Sequence, residues 1–215
     1  MKVKGIVLRS KNLGDRLRYV SLYTDRLGRV NLVFKLDNSQ FPLKYEPFSV
    51  SEFELLQKED RWELKGAKLI EENFPKTFDE LIYRSKISKL IYPYELQPSK
   101  KLFNLIRTYL RLNNYFELSY VAFLSKFLYI EGIFPRLFSC VRCGSKGISG
   151  FSFEEGGVVC ENCKREGEID WNRLSSLQLR EITKGAISEI KKKKFNQLNR
   201  IKYALEKHAQ YRLNK

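Results

Sequence analysis

From Val3 to Glu72 the apolar residues come in short runs rich in Val, Leu, Tyr and Phe, each closed by turn chemistry. VKGIVLRS, LRYVSLYT and GRVNLVFK are separated by Asn12-Leu13-Gly14-Asp15 and by Asp25-Arg26-Leu27-Gly28. PFSVSEFELLQ and RWELKGAKLIEE follow, joined at Lys58-Glu59-Asp60. Runs of this kind between Gly, Asn and Asp clusters predict five antiparallel strands. Five short strands favour closure into a small barrel, because closure removes the exposed edges. An SH3-like barrel fits that strand count almost as well as an oligonucleotide/oligosaccharide-binding (OB) barrel.

The spacing changes after Phe74-Pro75. Thr77 is placed to cap a helix whose apolar positions are Phe78, Leu81 and Ile82, then Ile87, Leu90 and Ile91. Pro93 and Pro98 mark the next break. Leu102, Leu105, Ile106, Tyr109 and Leu110 form one face of a second helix, with Lys100, Arg107 and Arg111 opposite. Residues 115–131 are apolar nearly all round, as expected of a helix packed on several sides. Glu117, Lys126 and Glu131 interrupt that stretch, so it reads as a buried helix and not a membrane span. Ser175-Ser176-Leu177-Gln178 opens a C-terminal helical region holding Leu177, Leu179, Ile182, Ile187 and Ile190. A last helix carries Leu198, Ile201, Leu205 and Ala209. The expected organisation is α+β: a barrel over residues 1–75 and a helical domain over 76–215, with an insert at 138–170.

Charge narrows the choice of partner. The net charge is +15, with 40 basic and 25 acidic side chains. It is concentrated at +6 in residues 1–34 and +9 in residues 171–215, while 35–75 and 140–170 are net acidic. Such a distribution suits a polyanion, nucleic acid before an anionic membrane surface. The opening residues, MKVKGIVLRSKNLGDR, contain no apolar stretch of signal-peptide length, so a cytoplasmic protein is expected.

All four cysteines lie in CVRCGSKGISGFSFEEGGVVCENC, residues 140–163. Two Cys-x-x-Cys pairs present four thiolates to one ion, because each pair bends back on itself. Gly144 permits the tight turn after the first pair, and the second pair lacks such a glycine. A dithiol redox pair lacks its usual strand–helix–strand context, and a disulfide framework is unexpected in a cytoplasmic chain of this size. Cys140, Cys143, Cys160 and Cys163 therefore predict one structural zinc. Catalytic zinc keeps a position open for water, whereas four cysteines fill the shell. The only histidine, His208, lies far along the chain. There is no Gly-x-x-x-x-Gly-Lys-Ser/Thr loop and no Gly-x-Gly-x-x-Gly after a strand. A binding protein, not an enzyme, is expected.

With that order of elements in view, KGIVLRSKNLGDRLRYVSLYTDRLGRVNLVFK resembles the opening of the RecO family of bacterial recombination mediators. FLSKFLYIEGIFPRLFSCVRCG resembles the family's central helix running through Gly and Pro into the first cysteine pair, and FSFEEGGVVCENC resembles the segment that closes its knuckle. The resemblance covers essentially the whole chain. It implies an OB-type barrel, a helical domain and a zinc insert. It also implies a non-enzymatic role: binding single- and double-stranded DNA, annealing strands, and working with RecR to load RecA onto DNA coated by single-stranded DNA-binding protein. The acidic C-terminal tail of that coating protein would dock on the helical domain. A nucleoid-associated location follows. A zinc-containing RNA-binding or ribosome-associated factor is the alternative that the physics alone allows.

On that resemblance, Arg9, Lys11, Arg16 and Arg18 would line a phosphate-tracking face, extended by Arg29 and Lys35. Tyr19 and Tyr23 share a strand face, suited to base stacking or to core packing. Lys191, Lys192, Lys193 and Lys194 would form a second DNA contact. Arg107 and Arg111, four apart on a helix, would clamp the acidic tail. One departure is KLDNSQFPLKYEPF, where the family carries a basic stretch. Here Lys35 and Lys44 stand against Asp37 and Glu46, which shifts the expected contacts toward Arg16, Arg18 and the C-terminal lysines.

Overall fold

Five strands form the N-terminal sheet: β1 (Lys2–Leu13), β2 (Leu17–Thr24), β3 (Gly28–Lys35), β4 (Val50–Lys58) and β5 (Arg61–Glu71). They are seen in a computed structural model that describes residues 1–14, 16–36, 42–59, 61–94 and 96–214. Asp15, Asp37 and Asp60, named above in turns and in the departing stretch, lie outside the described residues. All neighbouring strands are antiparallel, in the order β3-β2-β1-β4-β5. The edge strands β3 and β5 return to each other. With β1 shared between β2 and β4, this is OB-type connectivity, whereas an SH3-like barrel would set the fifth strand beside the first.

Strand alternation fills the barrel. Val20 and Leu22 of β2 point inward with Val3, Val7, Val30, Leu32, Phe53 and Leu55. A bulge between Val7 and Arg9 interrupts the pairing of β1 with β2. The carbonyl of Leu8, at the bulge, accepts a 2.6 Å hydrogen bond from the Ser88 hydroxyl. Gly28 closes the β2–β3 turn at φ 66°, and a Cβ there would lie 2.7 Å from the Leu96 carbonyl oxygen. Any other residue would meet both a left-handed backbone and a collision.

The chain forms two compact units, Met1–Phe116 and Glu117–Lys215. The first includes helices α1 (Phe78–Ile91) and α2 (Lys100–Leu110). Thr77 caps α1 as expected, its hydroxyl accepting from the Glu80 N–H at 3.2 Å. The buried face of α1 differs from the one the apolar spacing predicts. Ile87 and Ile91 are inside, but Phe78 is 73% exposed and Leu81 and Ile82 are also exposed. Tyr83, Arg84 and Glu80 turn inward instead. The cause is the C-terminal end of α2, whose last carbonyls need donors. Tyr83 Oη donates to Tyr109 O at 2.9 Å, and Arg84 Nε donates to Leu110 O at 2.9 Å. Glu80, 2.9 Å from the Arg84 guanidinium, balances the buried charge. On α2, Leu102, Phe103, Ile106, Tyr109 and Leu110 are buried, close to the predicted face.

The second unit is built on α3 (Phe116–Ile130), buried from Leu118 to Leu128 apart from Lys126. A three-stranded sheet follows, β6 (Gly150–Ser152), β7 (Gly157–Val159) and β8 (Ile169–Asp170), in the order β7-β6-β8. Then come α4 (Arg173–Lys184), α5 (Ile187–Ile190) and α6 (Leu198–Leu213). α4 starts ahead of the Ser175 expected from sequence, because Asn172 is its cap, accepting from the Ser175 N–H at 2.8 Å. The Lys126 ammonium donates to the carbonyls of Thr183 and Gly185 at the far end of α4, a favourable place for a cation. Among the described residues, no helix is long and apolar enough to cross a membrane.

Candidate metal centre and cationic barrel face

The four cysteine sulfurs lie within 4.8 Å of one another, and Cys143 and Cys160 Sγ are 3.6 Å apart. None of the four is in a disulfide. A tetrahedral zinc with Zn–S of about 2.3 Å sets its sulfurs about 3.8 Å apart, so the cluster matches a tetrathiolate ion site. The first pair turns as Gly144 requires: φ is 76° there, and the Gly144 N–H donates to Cys140 O at 2.9 Å. The second pair turns differently. Glu161–Cys163 is one turn of 3₁₀ helix, with the N–H of Lys164 on Cys160 O at 2.9 Å and Lys164 itself extended. No glycine is needed there because the chain leaves in an extended conformation.

The sulfurs are electrostatically unequal. Burial resists ionisation of Cys140, yet backbone N–H groups of Cys143, Cys160 and Arg142 aimed at its sulfur bring its pKa down to about 6. Cys163, hydrogen-bonded by the Cys143 and Cys160 side chains and further raised by burial, is pushed up to about 12. A bound cation would draw the protons from all four thiols.

Arg142, which sequence reasoning did not single out, braces the knuckle from within. It donates to Glu155 at 2.9 Å, to Glu168 at 3.1 Å and to the carbonyl of Cys163. Part of the insert's acidity is thus spent internally. Val141 donates to Val158 O and Val158 to Arg136 O, each at 2.9 Å, tying the first cysteine pair to β7. Gly157 is obligatory at this crossing, since a Cβ would lie 2.7 Å from Arg136 O. Phe151 of β6 packs on Trp171 at 5.2 Å and edge-on to His208 at 5.9 Å. His208 is buried, its Nε2 2.7 Å from Ile133 O, and burial lowers its pKa. The lone histidine belongs to the packing under the knuckle and not to the cluster.

On the barrel, the predicted cations separate into three groups. Lys11 on β1 stands opposite Tyr19 on β2, and Lys35 on β3 opposite Leu17, with Arg16 just before it. Lys11, Arg16 and Lys35 are all exposed. Arg18 is not a surface cation: it is 6% exposed, its Nε donates to Ser10 Oγ at 2.7 Å, and its guanidinium is ion-paired with Glu46. Glu46, one of the two acidic residues that dilute the 35–48 stretch in sequence, is the one that holds Arg18. Arg9 and Arg29 converge on Tyr92, which follows α1. Arg9 donates to the Tyr92 hydroxyl at 3.2 Å with its guanidinium 5.2 Å from the ring centre, and Arg29 donates to Tyr92 O at 2.6 Å. Tyr19 Oη is 3.0 Å from Asn31 Oδ1 and 3.5 Å from Tyr92 Oη. Burial raises the Tyr19 pKa, while hydrogen bonds from Tyr19 and Arg9 lower that of Tyr92. Tyr23 is fully buried and donates to Gln97 O at 3.0 Å, so it packs and does not stack bases.

The remaining predicted residues lie elsewhere. Arg107 of α2 and Arg111, the residue that caps its C-terminal end, share one carboxylate, that of Glu71 at the end of β5, with Nε contacts of 2.7 and 3.0 Å. Lys191, Lys192, Lys193 and Lys194 follow α5 and are exposed, Lys193 being ion-paired with Glu181. Tyr92 carries no sequence signal that would have marked it, because its role depends on strands far away in the chain.

An OB-type barrel with exposed cations on β1, on β3 and in the β1–β2 turn, in a chain whose second unit brings four cysteines together as a metal would require, defines a class of basic, barrel-bearing proteins with a candidate metal centre. Family models described as Recombination protein O N terminal and Recombination protein O C terminal match residues 1–72 and 77–215. The chain is 30% identical over 185 residues to the DNA repair protein RecO of Caldicellulosiruptor saccharolyticus, covering 79% of this chain and 75% of that protein. It is 27% identical over 216 residues to the DNA repair protein RecO of a Thermoanaerobacter species, covering 94% and 84%. The RecO of Mesoplasma florum is 29% identical over 197 residues, covering 83% and 73%. The chain belongs to the RecO family of DNA repair proteins.

Proposed function

We propose that this protein is a recombination mediator: it binds single- and double-stranded DNA, anneals complementary strands, and with RecR helps load RecA onto DNA coated by single-stranded DNA-binding protein. It works in the cytoplasm, at the nucleoid, and catalyses no reaction of its own. The observation that carries this reading is the exposed set of Lys11 on β1, Arg16 in the turn before β2 and Lys35 on β3 of an OB-type barrel, in a chain of the RecO family. Lysine and arginine there neutralise phosphates and release counterions, which gives affinity without sequence preference. The lysines at 191–194 supply a second contact in the other unit. One structural Zn²⁺, held by Cys140, Cys143, Cys160 and Cys163, stabilises the small three-stranded sheet beside it. Arg107 and Arg111 receive the acidic tail of the coating protein. Their joint grip on the Glu71 carboxylate supports this, because a tail carboxylate would compete for the same pair of guanidinium groups.

The test is fluorescence anisotropy with a labelled single strand across a salt series. Replacing Lys11, Arg16 and Lys35 together by Gln should weaken binding and flatten the log K against log[salt] slope by about 2, at roughly 0.7 per phosphate contact for a single strand. An unchanged slope with the fold intact would refute the barrel as the DNA face. Preference for structured RNA over DNA would replace the reading with an RNA-binding role.

A further inference from the structure

Between β1 and α1, inside the first unit, lies a cleft of about 540 Å³ that the cationic strand face does not include. The bulge in β1 creates one wall. Consecutive residues of a regular strand point to opposite faces, but here Leu8, Arg9 and Ser10 all line the same cleft. The other wall is one face of α1, on which Leu81, Ser85 and Lys89 recur at intervals of four. Phe48 lies at the floor with φ 74°, a conformation rare for a bulky residue. It is held there by its own N–H on Val7 O at 2.8 Å and by Asn73 Nδ2 on its carbonyl at 3.2 Å. Strained backbone of this kind concentrates where a surface is shaped for a ligand.

The lining decides what the ligand is. Two cations, Arg9 and Lys89, stand on opposite walls, and neither is in an ion pair with a described residue. None of the described lining residues is acidic. Arg9 spends one of its five N–H groups on the Tyr92 hydroxyl, which fixes it at the rim and leaves donors for an incoming anion. The hydroxyls of Ser10 and Ser85 add neutral partners, and Leu8, Phe48 and Leu81 give the interior an apolar surface. An anionic group at the mouth and a flat apolar group within is the chemistry of a nucleotide. The volume lies in the range of small-ligand sites. Arg9 links the cleft to Tyr92, Tyr19 and so to Lys11 on the strand face, making the two surfaces continuous.

We infer that the β1–α1 cleft is a nucleotide subsite for single-stranded DNA, with a phosphate between Arg9 and Lys89 and its base against Leu8, Phe48 and Leu81. The inference rests on the DNA-binding reading of the barrel and extends the strand's path from the sheet onto α1. Lys89 and Ser85, which no sequence motif marks, and Leu81, an apolar position of the helix pattern, become contact residues.

The test uses the full chain and two variants of different kind. Lys89→Gln removes the charge at an exposed helix position, and Ser85→Trp fills the cleft without changing charge. Each is checked by thermal melting before use. Lys89→Gln should weaken binding of a labelled single strand several-fold and flatten its salt slope by about 0.7. Ser85→Trp should weaken binding of an ordinary strand but leave binding of an abasic strand of equal length unchanged. Binding of both variants equal to wild type, while the Lys11/Arg16/Lys35 triple variant is impaired, would overturn the subsite and leave the barrel reading standing. Failure of the triple variant to alter binding would instead remove the reading beneath it. Loss of binding to a labelled acidic peptide in Ser85→Trp, with DNA binding intact, would assign the cleft to a protein partner and also overturn the inference.

Discussion

Arg18 separates a reading by charge from a reading by position. In sequence it belongs with Arg9, Lys11 and Arg16 as a phosphate contact, but its side chain is only 7% exposed and paired with Glu46, itself 20% exposed. Arg18→Met keeps length and apolar bulk while removing the guanidinium. Breaking a fully buried ion pair by removing one partner costs about 3–5 kcal/mol, and a hydrogen bond to a charged group contributes about 1.5–3 kcal/mol. Glu46 keeps some water in the variant, so the lower part of that range applies, about 2–3 kcal/mol. At 2–4 °C per kcal/mol for a chain of this size, the midpoint of thermal unfolding should fall by roughly 4–12 °C. Scanning calorimetry or circular dichroism measures that shift, and anisotropy at a temperature where the variant is folded measures DNA binding. The salt slope for single-stranded DNA should stay at the wild-type value. A variant with unchanged stability and a slope flattened by about 0.7 would refute the placement of Arg18 inside the barrel wall.

Three further outcomes follow from the same structure. Cys143→Ser should abolish stoichiometric binding of one Zn²⁺, and substitution of Co²⁺ into the wild type should give the intense visible absorption of a tetrahedral thiolate site, both read on the purified protein. Glu71 is lowered: burial opposes its ionisation, but Arg107 and Arg111 outweigh that and hold the carboxylate charged. Its contribution is therefore present above the unfolded glutamate pKa of about 4.3 and lost as pH falls through the depressed folded value, so denaturant titrations of wild type and Glu71→Gln should converge in acid and diverge toward neutral pH. Phe78→Ser should change stability by no more than about 0.5 kcal/mol and Ile87→Ala should cost about 2–5 kcal/mol, a contrast that chemical denaturation resolves and that equal losses would contradict.

The barrel was legible because its strands obey a local rule. Each apolar run ends in turn chemistry, and the observed β2 and β3 coincide with LRYVSLYT and GRVNLVFK. The knuckle was legible for a similar reason, since two short cysteine spacings carry their geometry with them. The inward face of α1 was not legible, because Tyr83 and Arg84 answer the carbonyls at the end of α2, and that contact arises only once the two helices meet. Arg18 and Glu46 misled in the same way: as separate charges they suggested a phosphate contact and an acidic interruption, and as a pair they are part of the wall. The β1–α1 cleft depends on a bulge and on residues eighty positions apart, as in the Ser88 to Leu8 bond. Pattern along the chain reports faces and turns; it does not report which polar groups a neighbouring element will require.

The most direct test of the central claim is strand annealing. Complementary single strands coated by the cognate single-stranded DNA-binding protein, with its acidic tail intact or deleted, are mixed with the purified protein in the absence of ATP. Fast annealing that requires the intact tail, and that is lost in the Lys11/Arg16/Lys35 triple Gln variant, is the predicted result. Failure to anneal either coated or bare strands would contradict the mediator function.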